Sequence, residues 1–505
     1  MKKAALVWVQ ILFFAAALFA QANVESFDKY VEAARQQWHV PGLSIVVVKD
    51  GKVVFEKGYG VRELGKSDPV TTDTLFGSMS TTKAMTVACL AMLIDEGKVN
   101  LDDKVIKYLP DFRVADPYIT NELRVRDLLT HSGGLGDADF LWSWAPTIAN
   151  SEVVRRMQYA KPAYSMRSSF IYQNIMYLVA GQVIEKASGM PWERFITERL
   201  FTPLGMKNSF PNLTASRVYT NRSASHFDIK GKTEVIPESP ADSIAPAGAV
   251  WSTADDIGHW VTFMLGDGTW NGKVLIKPAT FNEILKPQVI VPAGQFYPTV
   301  AITKPHWMTY GLAWFQHDYR GEMINFHTGS LDGRTAIVGL MRDKKLGVYI
   351  FGNLDHAELR HALMYKVFDV FGFNDNSRDW SSEFKTLYDG LKASGQKRLE
   401  TVQAQRAQNT KPSLPIEAYA GKYSDPFYGS VDVAVADGKL RATFNDQLSA
   451  DLGHWQFDTF MGTWNKPWWD QSLFTFQLSP ISADVQSLTV DGATLRKEPK
   501  AAAGN

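Results

Sequence analysis

The sequence predicts a mixed α/β (α+β) fold: an antiparallel sheet flanked by helices, with an all-helical subdomain, followed by a small all-β domain. Three observations predict it. Residues 43–59 read as two β-rich runs joined at Asp50-Gly51, and residues 335–351 as a second pair of strands turning at 342–345. Between the two pairs lies a long helix-rich stretch that opens on an apolar run from Lys83 to Ile94. Beyond a polar segment at 378–409 and the proline break at 410–415, short alternating runs continue from Tyr419 to Arg496. Strands at both ends of a helical segment imply one antiparallel sheet assembled from distant parts of the chain.

At the N-terminus, Lys2 and Lys3 precede an apolar run over residues 4–19 and then Ala20-Gln21-Ala22. That is the charge, core and small-residue order of a secretory signal peptide cleaved after Ala22, with a periplasmic or secreted mature chain and no membrane attachment. The apolar run is short for a retained anchor. The domain expectation is then 1–22 signal peptide, 23–377 main domain, 378–411 helical linker and 412–505 all-β domain. Residues 25–38 have the pattern of an amphipathic helix, and Thr253 with Asp256 has capping-box spacing at the start of another.

Lys plus Arg and Asp plus Glu both number 53, so no nucleic-acid or other polyanionic partner is implied. Cys89 is the only cysteine, which excludes an intrachain disulfide and points to core packing. Ten histidines at scattered spacings give no metal site, and no phosphate-binding glycine loop or cofactor fingerprint occurs. No metal and no cofactor are expected.

The chemistry centres on Ser80 and Lys83. The run from Lys83 to Ile94 is apolar almost all round, the mark of a helix buried on every side. A serine three residues before a lysine on one helical turn shares its face, so the amine reaches the hydroxyl as a base reaches a nucleophile. Burial lowers a lysine pKa and favours the neutral amine. The same spacing at Ser26/Lys29, Ser382/Lys385 and Ser394/Lys397 falls in polar segments, where solvated side chains are the ordinary reading.

Such a pair needs a proton relay and oxyanion donors. Tyr172-Gln173-Asn174 stands just before the apolar helical run that starts at Ile175; a tyrosine beside a lysine has its pKa lowered, and an asparagine can bond both lysine and substrate. Tyr219 and Asn221 repeat the spacing with no such helix after them. His327-Thr328-Gly329-Ser330 precedes the second strand pair, where a glycine lets a substrate backbone approach and the Ser330 N–H can join the Ser80 N–H around an oxyanion. His131-Ser132-Gly133 has the same pattern with no strand behind it, which favours a loop role.

Together, Ser80-x-x-Lys83, Tyr172-x-Asn174 and His327-x-Gly329 resemble the signature of the serine β-lactamase and penicillin-binding-protein superfamily, in its class C β-lactamase-like branch, which includes D-alanyl-D-alanine carboxypeptidases, D-aminopeptidases and esterases. Residues 129–135 and 246–253 are similar to that branch's connecting segments, over a resemblance spanning about 25–375; the tail is similar to the small barrel domain of many members. The resemblance implies a β-lactamase/transpeptidase-like fold and Ser80 as the acylated nucleophile. It implies that Lys83 and Tyr172 share the acid and base roles, while Asn174, His327, Gly329 and Ser330 position substrate. His327 stands where true class C enzymes have lysine, which argues against efficient β-lactam hydrolysis.

The substrate implied is a short peptide, amide or ester, D-amino-acid-containing and possibly derived from the cell wall. The alternatives are a carboxylesterase or weak β-lactamase of the same fold, or a penicillin-binding sensor without turnover. An unperturbed His327 titrates near pH ~6.5 and would read a substrate carboxylate only below that pH. Arg334 is the rival fixed charge. Trp455, Trp464, Trp468 and Trp469 are expected in the core or rim of the β domain rather than on a glycan.

Overall fold

A computed structural model describes residues 23–499 of the protein. The expected signal peptide lies outside the described residues. Helix α1, residues 23–37, leads into β1 (Gly42–Lys49) and β2 (Lys52–Gly60), which pair antiparallel. Asp50 and Gly51 between them have φ of 51° and 74°, the left-handed pair that an Asp-Gly turn accommodates.

The main sheet has eight antiparallel strands, and most come from the second half of the domain. Helices α2 (Thr82–Asp95), α3 (Asn174–Ser188) and α4 (Ala254–Leu265) come first. Then follow β3 (Val289–Ile290), β4 (Met308–Tyr310), β5 (Phe315–Tyr319), β6 (Glu322–Leu331), β7 (Arg334–Met341) and β8 (Leu346–Gly352). The spatial order is β2-β1-β8-β7-β6-β5-β4-β3, so the N-terminal hairpin docks beside the last strand. Helix α5 (Leu359–Val367) returns across the sheet.

Alternation along the strands builds two cores. Val46 and Val48 of β1 and Ala336, Val338 and Leu340 of β7 face α2, α3 and α4. Leu43, Ile45 and Val47, with Ile337, face α1 and α5 instead. Such two-sided burial explains why these strands read as nearly continuous apolar runs. Within the helical subdomain α2 is enclosed: every residue from Thr82 to Leu93 is buried, Cys89 among them. α4 starts as its spacing predicts, with Thr253 Oγ1 accepting from the Asp256 N–H at 3.2 Å.

Helix α6 (Trp380–Ala404) carries the chain out of this domain; it buries Trp380, Ser381 and Phe384 and is exposed on all sides from residue 391. The tail is a closed eight-stranded barrel, its first strand Gly421–Asp425 bonded to its last, Ala493–Lys497. Closure removes the free edges that a small sheet otherwise exposes. Inward residues such as Val431 and Val433 alternate with exposed Asp432 and Ala434. The barrel core continues onto Trp144 of the helical subdomain, whose carbonyl accepts from Asn445 Nδ2.

Candidate active site

The nucleophile candidate is presented by a strained turn. Ser80 lies in the 3₁₀ turn Met79–Thr81 that runs directly into α2, and Met79 before it has φ 45°, a left-handed value costly for a residue with a side chain. The turn is held by the Ser78 N–H donating to Val250 O at 2.7 Å and by Thr81 Oγ1, which donates to Ser78 O at 2.8 Å.

One turn further on, Lys83 Nζ meets three oxygens: Ser80 Oγ at 3.1 Å, Asn174 Oδ1 at 2.5 Å and Ala247 O at 2.9 Å. Burial drives the Lys83 pKa down to about 7, opposed by the nearby Asp139 carboxylate. In the neutral form, two N–H groups satisfy the two carbonyl acceptors, and the lone pair is left for the Ser80 hydroxyl proton. Lys83 is thus arranged as a base.

Asn174, the first residue of α3, joins this pair to a carboxylate that the sequence did not reveal. Its Nδ2 donates to Asp139 Oδ2 at 2.6 Å, so its Oδ1 is fixed toward Lys83. Asp139 Oδ1 also accepts from Trp142 Nε1 at 3.1 Å. Burial, and then Asp137, push the Asp139 carboxyl up to about 6. Its side chain is aimed by a local turn in which the Asp139 N–H donates to Asp137 Oδ1 at 2.9 Å. Nothing in the spacing set Asp139 apart from Asp137.

Tyr172 reaches the site, but its chemistry corrects the expectation of a lowered pKa. Burial raises the phenol well above its ordinary value, only partly offset by the Ser80 hydroxyl. Lys83 Nζ sits over the face of the ring, 4.8 Å from its centre, rather than beside the hydroxyl. A phenol so placed keeps its proton and can pass it on.

His327 is a second correction. It is buried at a position two residues short of Gly329 on β6, paired with Val338, and it does not line the cavity at Ser80. Burial keeps it neutral, and a chain of hydrogen bonds fixes its orientation. The Gln173 N–H donates to His131 Nδ1 at 3.0 Å, which leaves His131 Nε2–H to donate to Tyr310 Oη at 3.2 Å. Tyr310 then donates to His327 Nε2 at 3.2 Å, and His327 Nδ1–H to Thr328 O at 2.6 Å. Desolvation takes the His327 pKa down to about 3. It therefore cannot read a substrate carboxylate near neutral pH. Its role is to brace β6 against the Tyr172 loop, with His131 as the other brace.

Arg334 is no ligand of the cavity either: it is buried, donates from Nη2 to Ser239 O at 2.8 Å, and stacks on Trp251 at 4.5 Å.

Gly329 and Ser330 do come to the site. β5 reaches only to Phe315, opposite Phe326, so the edge of β6 from His327 onward is left open by β5. A Cβ on Gly329 would stand 2.4 Å from Ser78 O and 3.1 Å from Ser80 N, so only glycine lets this edge lie against the Ser80 amide. Arg360 fixes the segment from behind, its Nη1 donating to Gly329 O at 2.5 Å and to Ser330 Oγ at 2.8 Å.

These residues open onto a cavity of about 550 Å³. Ser80, Asn174 and Ser330 form its floor, and Asp139, Asp332 and Asp355 line its sides. The barrel supplies the facing wall through Trp468, Trp469 and Asp470, in the loop between its strands Thr459–Trp464 and Ser472–Leu478. Trp464 is core as expected and Trp455 is nearly buried, whereas Trp468 and Trp469 face the cavity. His356, the one basic side chain in the lining, is bonded to Asp355 at 2.5 Å, which raises its pKa. No group of three or more metal-ligating side chains occurs among the described residues.

The family model for Beta-lactamase matches residues 27–369, which hold every residue of this floor. The chain belongs to the beta-lactamase family. A second family model, Domain of unknown function (DUF3471), matches residues 405–501 and so covers the barrel. Among curated relatives of this beta-lactamase-family chain is an unguisins hydrolase of Aspergillus campestris, 27% identical over 427 residues, covering 81% of this chain and 77% of the relative. Protein flp of Staphylococcus aureus is 26% identical over 340 residues, covering 66% of this chain and 63% of its own length. Among solved structures, an octameric penicillin-binding protein homologue from Pyrococcus abyssi aligns over 94% of this chain and all of its own, with a TM-score of 0.62 and 20% identity. SurE bound to D-Leu aligns over 95% of this chain and all of its own, at 0.54 and 19%. The family and its hydrolase relatives make this protein a serine hydrolase.

A pH dependence follows from Lys83. Below about pH 7 its amine is an ammonium with no lone pair for the Ser80 proton. Acylation by an uncharged active-site phosphonate is therefore expected to rise from pH 5, pass its midpoint near 7 and level off above 8. A rate flat across that range, or a midpoint near the ordinary lysine value, would remove Lys83 from the role of base. His327 contributes no step.

Proposed function

We propose that this beta-lactamase-family hydrolase is a peptidase that cleaves the bond after a D-residue bearing a free amino group, through a Ser80 acyl-enzyme. The reading is aminopeptidase-like rather than carboxypeptidase-like. One observation carries it: Asp139, Asp332, Asp355 and Asp470 line the cavity, and no lysine or arginine does. An ammonium gains from that field, whereas a carboxylate, including that of a β-lactam, finds there only His356, which is already paired with Asp355.

In the proposed reaction, neutral Lys83 takes the Ser80 hydroxyl proton as Oγ bonds to the carbonyl carbon. The resulting oxyanion is held by the Ser80 and Ser330 N–H groups. Lys83 returns the proton to the leaving nitrogen as the C–N bond breaks, and the protonated Tyr172 hydroxyl donates a hydrogen bond to that nitrogen as it departs. Water then attacks the ester by the same route in reverse, and Asn174 holds the substrate amide and Lys83. The same steps serve an ester. The structure of SurE with D-Leu supports a substrate with D-residues, and the unguisins hydrolase supports hydrolysis. The leader expected at 1–22 would place the activity outside the cytoplasm.

The test compares H-D-Ala-p-nitroanilide with its N-acetyl and L-Ala counterparts. Free-amine D-Ala is expected to lead the acetylated form by about tenfold or more in kcat/KM, the scale of one charge-assisted hydrogen bond. Equal or better cleavage of the acetylated form would overturn the amine assignment.

A further inference from the structure

The cavity at Ser80 does not end at the barrel. It shares Trp142, Leu331, Asp332, Trp468 and Trp469 with a second cavity of about 330 Å³, an annexe between the main domain and the barrel. Three indoles and three prolines, Pro146, Pro237 and Pro240, dominate its walls.

The indoles are held in place rather than loosely packed. Trp142 is pinned through Nε1 to Asp139 at 3.1 Å and Trp468 through Nε1 to Asp332 Oδ2 at 3.0 Å. Trp469 packs edge-on to Trp464 at 5.6 Å and carries the Lys466 ammonium over its ring at 4.3 Å. Asp332 has a second donor, Ser239 Oγ, at 2.8 Å, so the Trp468 anchor is itself fixed. Rings fixed in this way present apolar faces at little cost in lost rotamer freedom on binding.

We infer that the annexe is a subsite for a large apolar side chain, aromatic by preference, in the leaving-group half of a peptide substrate. The inference rests on the reading of the Ser80 cavity as a peptidase site. With a free amine on the acyl residue, only the leaving half is long enough to enter. An extended peptide lying along the open edge of β6 advances about 3.3 Å per residue. The annexe begins at Leu331 and Asp332, immediately past Ser330 on that edge, which places the side chain about two residues beyond the cleaved bond.

The peptides H-D-Ala-Gly-Xaa-amide, with Xaa as Gly, Leu, Phe or Trp, test this. kcat/KM is expected to rise about tenfold or more from Gly to Phe or Trp, mainly through KM. Trp469→Ala removes one wall, and Gln447→Trp fills the annexe from an exposed rim position without disturbing a core. Each is expected to bring the Trp-to-Gly ratio close to one. Phosphonate labelling of the unaltered protein separates the failures. A protein that labels and cleaves D-Ala peptides but shows no Xaa preference overturns the annexe and leaves the peptidase reading standing. A preference that survives both substitutions overturns it too, and a protein that neither labels nor cleaves any of the peptides overturns both.

Discussion

Ser80→Ala is expected to abolish the single covalent adduct that a fluorophosphonate leaves on this protein, and Lys83→Ala to slow its formation by about 10³–10⁴-fold. The two losses differ in kind. Alanine at 80 removes the attacking oxygen, while alanine at 83 leaves it with no group to take its proton. Asn174 Oδ1 and Ala247 O, which both accept from Lys83, would also be left without that donor inside the protein. Mass spectrometry of intact protein reads the adduct, and circular dichroism checks that both variants fold. Undiminished labelling of Ser80→Ala would place the nucleophile elsewhere. A Lys83→Ala rate within about tenfold of the parent would mean that another group, with Tyr172 the nearest candidate, serves as base.

Arg360→Met is expected to be the most destabilising single change near the site, by about 3–5 kcal/mol. Arg360 and Glu358 are both buried and bonded twice, Nη2 to Oε1 at 2.8 Å and Nε to Oε2 at 3.1 Å. Glu358 Oε2 also lies 2.8 Å from His361 Nδ1. The Arg360 guanidinium keeps the Glu358 carboxyl far below its usual range despite burial. Removing the arginine strands a carboxylate in the core. It also frees Gly329 O and Ser330 Oγ, so kcat should fall more than KM rises. The double variant Glu358→Gln, Arg360→Met should recover part of the stability, because no unpaired charge is then buried. A single variant whose urea midpoint and kcat match the parent would show that Arg360 neither supports β6 nor balances Glu358.

How much of this was legible in the residues depended on the range of the interaction. The Asp50-Gly51 hairpin, the buried α2 and the Thr253 cap are set by neighbours a few residues apart, and each stands where its spacing predicts. Ser80 with Lys83, and Asn174 at the head of α3, were legible for the same reason. His327 was misread because its environment is built by β4 and β5, short strands with little pattern of their own, whose Tyr310 and Phe315 close over it. Asp139 and the wall formed by Trp468 and Asp470 were invisible because each is ordinary among its neighbours in the chain. Asp139 acquires its role only when Asn174, 35 residues on, folds against it, and the barrel loop only when it meets a floor hundreds of residues earlier in the chain. The Tyr172 pKa runs opposite to the expectation because burial, which the sequence does not show, raises it and outweighs the lowering by the Ser80 hydroxyl.

The strand order carries a consequence for how this chain is made. β1 can pair with β2 as soon as both leave the ribosome, because only Asp50 and Gly51 separate them. Its other edge, Leu43 to Lys49, is filled by β8, which is synthesised hundreds of residues later. Throughout that interval the nascent chain displays a valine-rich strand with an unpaired edge, the kind of template on which neighbouring chains assemble. The hairpin near the start of the domain therefore keeps one edge exposed until β8 emerges to cover it.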